Sequence, residues 1–320
     1  MSTLSILLRT WPFVLMRLVA HVLFGVVAVV LLGIMGGIGY LSTLLFKQAG
    51  AVVFFVCLLA IGFLWGLRKL AERYVLYLIK AGHVAVITEL LLRGSVPAGM
   101  SQVAYGKDKV VKHFGKVSVL AGVDALVEGS VRQILRWLVR LGSLVTFVPG
   151  AKFLWGLVQR VLTVAANYID EAVFSYILTR EGQNVWRVAA DGVVLYAQSW
   201  KKILHTAILV VFIVVAGWLA VFLLTLFPLL GLATVLAKAG HFRVLFGFIA
   251  LLVAYLLANV AKWVLVDPVA TTAMVVAYHN AIQQAVPSAD LYTNLVGISK
   301  RFRELDQKAR EVPAGGEAAA

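Results

Sequence analysis

Two adjacent carboxylates, Asp170 and Glu171, lie within an otherwise apolar stretch that runs from Ala165 to Ile177. A carboxylate placed between membrane helices is costly unless it is paired, so such a residue usually marks an ion or proton pathway. The pair is therefore a candidate site for a cation or for proton transfer. The alternative is that it begins a helix at the membrane surface, where acidic residues suit the positive end of the helix dipole.

Aromatic side chains surround these carboxylates in the sequence. A quaternary ammonium ion has no hydrogen-bond donor and is best held over the faces of Trp and Tyr rings. The candidates for such a cage are Tyr168, Tyr176, Tyr196 and Trp200. The alternative is a belt of aromatic residues at the membrane–water interface. Together with the two carboxylates, these four residues form the predicted substrate-binding set.

A second pair of charges, Lys262 and Asp267, interrupts a mostly apolar segment. The two residues are five positions apart and would form a buried ion pair that acts as a gate. Alternatively, Lys262 extends its ammonium group toward the lipid headgroups, and Trp263 anchors the helix beside it. Both interpretations place the segment within the membrane.

Catalytic signatures are missing from the sequence. It contains no phosphate-binding P-loop, no dinucleotide fingerprint, no zinc-protease motif and no nucleophile elbow. The single cysteine, Cys57, excludes a disulfide within one chain and a cysteine metal site. We therefore predict that the protein is not an enzyme and that it holds neither a cofactor nor a metal.

The elements that must position these residues are membrane-spanning helices. Residues 18–46 and 48–67 carry no acidic or basic side chain except His21, and about 20 apolar helical residues cross a hydrocarbon core about 30 Å thick. The composition agrees, because 62% of the residues are hydrophobic and the mean hydropathy is +0.93. The sequence predicts an all-α, polytopic integral membrane protein with four to six membrane-embedded helices and amphipathic interfacial helices.

Two further apolar blocks lie in the C-terminal half. Residues 203–237 favour one long helix that is kinked or ended near Pro228, and residues 244–261 form a fourth span. Residues 268–286 are a fifth crossing, a kinked continuation of the fourth or a half-crossing. The continuation and the half-crossing are favoured over a full crossing because they keep the basic C-terminus on the cytoplasmic side.

Changes in charge along the chain divide it into four predicted regions. They are a transmembrane hairpin at 1–67, a basic amphipathic interfacial or re-entrant region at 68–202, a transmembrane bundle at 203–297 and a partly disordered cytoplasmic tail at 298–320. A turn at 148–150 would allow residues 153–164 to form a re-entrant hairpin, which is tolerated in a membrane only where protein or water covers it.

A basic helical face is the main feature of the central region. Arg132, Arg136 and Arg140 recur every four residues and so share one face, with Ile134 and Leu135 on the other. In a chain this apolar, the formal net charge of +14 fits anionic lipid headgroups better than nucleic acid. The three arginines are the predicted lipid-binding residues. The distribution of basic residues places both termini in the cytoplasm and the protein in the plasma (inner) membrane.

The run from Gly182 to Leu195 contains a Gly-x-Asn sequence followed by a small, apolar amphipathic helix. An Ala-rich, Tyr-containing helix precedes it at 172–178. Over residues 165–310 the arrangement resembles the choline transporter-like family. The resemblance implies an α-helical transporter of choline or a related organic cation, and a chain of this length would restore the repeats of longer transporters by forming a homo-oligomer.

Two functions of different classes follow from these patterns. The first is a transporter or channel for a small solute such as an organic cation, with Asp170 and Glu171 attracting the charge. The second is a non-transporting membrane scaffold or assembly protein, whose basic face binds anionic lipid or a protein partner.

Overall fold

A computed structural model describes residues 2–45, 50–114, 117–143, 151–236 and 240–312. Within these residues all regular secondary structure is helical, so the predicted all-α fold class is confirmed. The α-helices, in chain order, are α1 (Thr3–Arg9), α2 (Trp11–Leu45), α3 (Gly50–Leu70), α4 (Tyr77–Arg93), α5 (Gln102–Phe114), α6 (Val117–Ser143), α7 (Ala151–Ile177), α8 (Val185–Leu236), α9 (Gly240–Ala261), α10 (Asp267–Ile282), α11 (Ala289–Ile298) and α12 (Lys300–Glu311). Two π-helical turns, Ala71–Leu76 and Lys262–Val266, join α3 to α4 and α9 to α10.

The chain divides into two compact units. The smaller unit is Pro12–Lys80, and the larger combines Met1–Trp11 with Ala81–Ala320. In the smaller unit, large apolar side chains of α2 such as Val22 and Leu23 are more than half exposed. Such a surface would be unfavourable in water, so it indicates contact with lipid. Every residue of the predicted sites lies in the larger unit.

Four helical segments among the described residues are long and apolar enough to cross a membrane. They are Trp11–Leu45, Gly62–Arg93, Val185–Val235 and Phe246–Ile282. Their number agrees with the four spans expected from the sequence. The helix α3 (Gly50–Leu70) covers most of the predicted span 48–67, and the helix that contains the third span begins before residue 203.

The predicted region boundaries at 67/68 and 202/203 fall inside continuous helices. α3 passes through the π-helical turn Ala71–Leu76 into α4 without a break, and α8 runs through residues 202 and 203. A change from apolar to charged side chains alters what a helix faces, but it does not interrupt the backbone hydrogen bonds along the helix. These divisions therefore mark changes of environment and not breaks between structural elements.

Proline and the charged pair also leave their helices continuous. α8 contains Pro228 and ends at Leu236, so of the two alternatives, a kinked helix or one that ends near this proline, the ending is wrong and the long helix is present. Continuing the helix loses one backbone donor, whereas ending it within a membrane would expose several unpaired backbone groups. α10 continues α9 through the π-helical turn, and the continuous helical segment ends at Ile282. This agrees with the interpretation of residues 268–286 as a continuation of the fourth span, up to Ile282.

The core of the larger unit lies where α6, α7, α8, α10 and α12 pack together. α7 is its centre, because every residue from Tyr168 to Leu178 is buried.

The predicted turn at 148–150 lies outside the described residues. Residues 153–164 belong to α7 and continue without a break to Ile177, so they do not form a short re-entrant hairpin. A helix buried on all sides must pair its polar groups with neighbouring helices.

The C-terminal segment begins as a docked helix and not as a disordered tail. α12 packs against α6 and α8, and the side chains of Phe302 and Leu305 are fully buried. Ser299 Oγ donates a hydrogen bond to Gln133 Oε1 of α6 at 2.7 Å. The helical part of the predicted tail therefore includes residues 300–311. Residues 313–320, where the sequence predicts disorder, lie outside the described part of the chain, so that prediction stays untested.

The Phe302→Ala substitution should weaken the packing of α12 against α6 and α8, because removing a buried phenyl ring costs about 3–5 kcal/mol. We expect limited trypsin digestion to cleave within residues 300–311 at least about tenfold faster than in the unsubstituted protein. The matched control is Ile298→Ala, which shortens an apolar side chain that is already 46% exposed on α11. Equal cleavage rates in the two variants would contradict the docked position of α12.

Candidate functional site

Asp170 and Glu171 lie well inside α7, which begins at Ala151. The alternative in which this pair begins a helix is therefore wrong. Both side chains are buried, with exposed fractions of 6% for Asp170 and 4% for Glu171. Because consecutive residues of an α-helix are rotated by about 100°, the two carboxylates face different neighbouring helices.

Side chains of α7 and α10 form a line of polar contacts, which we call the polar seam. Its members are Tyr168, Glu171 and Ser175 on α7 and Asp267, Thr271 and His279 on α10. Tyr168 Oη donates to Asp267 Oδ1 at 2.6 Å, and Thr271 Oγ1 donates to Glu171 Oε2 at 3.3 Å. Ser175 Oγ lies 2.8 Å from His279 Nε2. The contacts advance in the same direction on both helices, so α7 and α10 run parallel.

Lys262 and Asp267 form an ion pair, which was one of the two interpretations from the sequence, and it is partly buried rather than buried, with the side chains 25% and 18% exposed. Lys262 Nζ lies 2.9 Å from Oδ1 and 3.2 Å from Oδ2 of Asp267. The π-helical turn Lys262–Val266 explains the five-residue spacing, since i to i+5 hydrogen bonds bring positions five apart onto one face. Asp267 also accepts the hydrogen bond from Tyr168, so the ion pair lies at one end of the polar seam. Its role as a gate stays a prediction.

Asp170 faces α6, where two further carboxylates meet it. Carboxylate oxygens of Asp124, Glu128 and Asp170 all lie within 4.8 Å of one another, and we call these residues the acidic cluster. Arg132 Nη2 lies 2.6 Å from Glu128 Oε1, which supplies positive charge at the edge of the cluster. Carboxylate oxygens are the ligands that hard cations take in proteins, so this arrangement could hold a cation.

Tyr168 and Tyr176 have different neighbours. They lie eight residues apart on α7, which is about 12 Å along the helix axis. Tyr168 is engaged with Asp267 in the polar seam. The ring of Tyr176 lies 6.4 Å from that of Tyr278, in an edge-on arrangement, and 5.3 Å from the guanidinium carbon of Arg180. The protein thus already places a cation over this ring.

Tyr196 and Trp200 are one helical turn apart on α8. Tyr196 is buried, with 3% of its surface exposed. Trp200 is partly buried, and its ring lies 6.0 Å from Lys201 Nζ. Membership of these aromatic residues in one substrate cage stays a prediction.

The basic face predicted on α6 is present. Arg132, Arg136 and Arg140 are exposed, whereas Ile134 and Leu135 are buried. α6 packs against α7 and α12, so its apolar face is directed into the bundle and its basic face outward. Lipid binding by these arginines stays a prediction.

Sequence reasoning missed Asp124, Glu128 and Thr271. Asp124 and Glu128 are four residues apart, so their shared helical face was a signal that could have been noticed. Thr271 gave no comparable signal, because a threonine in a membrane helix commonly bonds to its own backbone. Its contact with Glu171 joins residues 100 positions apart and depends on how the helices pack.

Comparison with known proteins finds no match for this chain among protein-family models, curated proteins or solved structures. The resemblance to the choline transporter-like family therefore stays a prediction that depends on the residues quoted for it. Function must be argued from the geometry of the larger unit.

Removing one partner of the Lys262–Asp267 pair should destabilise the protein more than removing both. Lys262→Met leaves Asp267 with Tyr168 as its remaining side-chain partner, and Asp267→Asn leaves an uncompensated ammonium group. In a double-mutant cycle we expect a coupling of about 0.5–3 kcal/mol in the free energy of unfolding. Unfolding is measured in detergent micelles.

The control cycle uses Lys112 and Asp108, an exposed pair on α5 whose side chains are 72% and 41% exposed. Its coupling should be below about 1 kcal/mol, because solvent screens exposed pairs. A Lys262–Asp267 coupling no larger than this control would contradict a structural role for the ion pair.

Proposed function

We propose that the protein moves a small cationic solute across the membrane as a transporter or channel. The observation that supports this best is the polar seam between α7 and α10. From Tyr168 to Ser175 it extends about 10 Å along α7, and α10 belongs to a helical segment long enough to span a membrane. Ionisable side chains between membrane helices are costly and are typical of ion and substrate pathways.

Carboxylates concentrate beside the seam, which suits a cation better than an anion. Glu171 and Asp267 belong to the seam itself, and Asp170, the next residue to Glu171 on α7, belongs to the acidic cluster. A cation that loses part of its hydration shell on entering the bundle needs such oxygen atoms to replace the lost water. The hydroxyl groups of Tyr168 and Thr271 hold two of these carboxylates in position.

Choline or a related organic cation is the proposed substrate class, because the resemblance of residues 182–195 favours it. The protein would act without enzymatic chemistry, in the plasma (inner) membrane, as a homo-oligomer. The distribution of basic residues supports an orientation with both termini in the cytoplasm.

Liposomes that contain the protein should take up labelled choline faster than empty liposomes. Glu171→Gln removes a buried negative charge, and Thr271→Val removes the hydroxyl that bonds to it while keeping the side-chain shape. We expect each variant to lower the initial uptake rate about tenfold, since a hydrogen bond to a charged group is worth about 1.5–3 kcal/mol.

The matched control is Glu311→Gln, which makes the same chemical change at an exposed position of α12. Its uptake rate should equal that of the unsubstituted protein. Uptake no faster than in empty liposomes would contradict choline transport, and an equal loss in the control would show that the seam carboxylate has no special role.

The second candidate function is a non-transporting scaffold that binds anionic lipid. The specific observation in its favour is the exposed basic face of α6, formed by Arg132, Arg136 and Arg140. Basic residues near a membrane surface are attracted to anionic headgroups by about 1 kcal/mol each, within a Debye length of about 10 Å.

Replacing all three of these arginines with Gln should weaken binding to vesicles that contain anionic phospholipid. We expect an affinity loss of at least about tenfold at low salt, and a smaller loss at high salt because ions screen the attraction. The affinity is measured by co-sedimentation of the protein with these vesicles, after dilution of a short-chain detergent below the concentration that dissolves them. A control variant in which Lys107, Lys112 and Lys300 are replaced by Gln removes the same charge elsewhere. Equal losses in both variants would contradict a specific role for α6.

A further inference from the structure

A cavity of about 210 Å³ lies where α4, α5 and the turn after α7 come together in the larger unit. Glu89 and Arg93 of α4, Lys109 of α5 and Glu181 of the turn are among the residues that line it. None of them belongs to the polar seam or to the acidic cluster. The cavity is therefore a separate site, and its chemistry does not depend on the proposed transport function.

Two ion pairs meet at this cavity. Arg93 Nη1 lies 3.0 Å from Glu89 Oε1, and Lys109 Nζ is paired with a carboxylate oxygen of Glu181. Tyr105 Oη donates to the second oxygen of Glu89 at 2.6 Å, so both oxygens of this buried carboxylate have partners. Burial and this hydrogen bond raise the pKa of Tyr105 well above its usual value, which keeps the phenol protonated.

The two cations retain hydrogen-bonding capacity toward the cavity. A guanidinium has five N–H groups and an ammonium has three. Among the described contacts, Arg93 uses one of its five on Glu89, and Lys109 uses one of its three on Glu181. Because both side chains line the cavity, their remaining donors suit an anionic group such as a carboxylate.

Glu181 supplies the opposite charge at the rim. Its side chain is 67% exposed, whereas the paired Lys109 is only 14% exposed, so the carboxylate can turn toward a ligand while the lysine stays inside. The Lys109 ammonium holds the pKa of Glu181 below its usual range, which keeps this carboxylate ionised at neutral pH. An ionised carboxylate at the mouth suits a primary ammonium group.

The remaining walls are partly apolar. Leu92 and Leu178 line the cavity together with Ala85, and Arg93 is 69% exposed, so the cavity can be reached from water. A ligand that fits this lining carries an anionic group, an ammonium group and a short aliphatic chain.

We propose that this cavity binds a small zwitterion of the α-amino acid type with an aliphatic side chain. The carboxylate of the ligand bonds to Arg93 and Lys109, its ammonium group bonds to Glu181, and its side chain contacts Leu92 and Leu178. The lining carries two positive and two negative side chains, which matches a ligand that has one charge of each sign.

Isothermal titration of the full chain in a non-ionic detergent tests this site with three probes. L-leucine carries both charged groups, 4-methylpentanoate lacks the ammonium group and 3-methylbutylamine lacks the carboxylate. We expect leucine to bind at least about tenfold more tightly than either analogue, because each charged hydrogen bond contributes about that factor. No leucine binding at millimolar concentrations, or equal binding of 4-methylpentanoate, would overturn the proposal.

Two variants separate a ligand contact from a structural effect. Glu181→Gln should weaken leucine binding about tenfold and leave 4-methylpentanoate binding undiminished, whereas Lys109→Gln should weaken both. The matched control is Lys112→Gln, which removes an ion-paired lysine of the same helix whose side chain is 72% exposed. An equal loss of leucine binding in Lys112→Gln and Lys109→Gln would overturn the assignment, as would an equal loss of both ligands in Glu181→Gln.

Discussion

One constraint shapes the structure: within hydrocarbon, each backbone N–H and C=O group must find its hydrogen-bond partner inside the protein. Helices meet this requirement without outside partners, so α8 continues through Pro228 to Leu236. α3 likewise reaches α4 through a π-helical turn and not through a loop. The turns Ala71–Leu76 and Lys262–Val266 change which side chains share a face while the backbone stays bonded. Long apolar helices follow from this constraint, and so does the cost of any polar side chain among them.

That cost explains why the polar side chains of α7 lie against polar side chains of its neighbours. Tyr168 bonds to Asp267 and Glu171 accepts a hydrogen bond from Thr271, so each buried group is compensated across a helix interface. The same contacts fix the parallel packing of α7 against α10. Residues that stabilise this interface are therefore also the residues that would meet a cation, and substitutions there should affect stability and transport together. Thr271→Val is informative because it changes one hydrogen bond and little volume.

α7 and the turn that follows it contribute to two sites of different character. Ser175 belongs to the polar seam, and Thr179, about one helical turn further on, lines the cavity. Glu171 of the seam is buried and Asp267 is partly buried, so their charges are screened less by water than charges at the surface. The cavity has rim charges exposed to solvent, such as Glu181, so binding there should be weaker and more sensitive to salt. The C-terminal part of α7 and the turn that follows it therefore position side chains at both sites within a few residues of one another.

The sequence by itself determined the helical class, the membrane environment and the basic face of α6, and it offered the Lys262–Asp267 pair as one of two interpretations. These properties are local, because apolar length, charge and helical spacing are read over one or a few turns. Only the tertiary structure decided that Glu171 faces Thr271, that Asp170 joins the acidic cluster and that α12 docks as a helix. Side chains from segments a hundred residues apart meet only when the helices pack, and periodicity within one helix specifies which face is apolar but not which helix covers it.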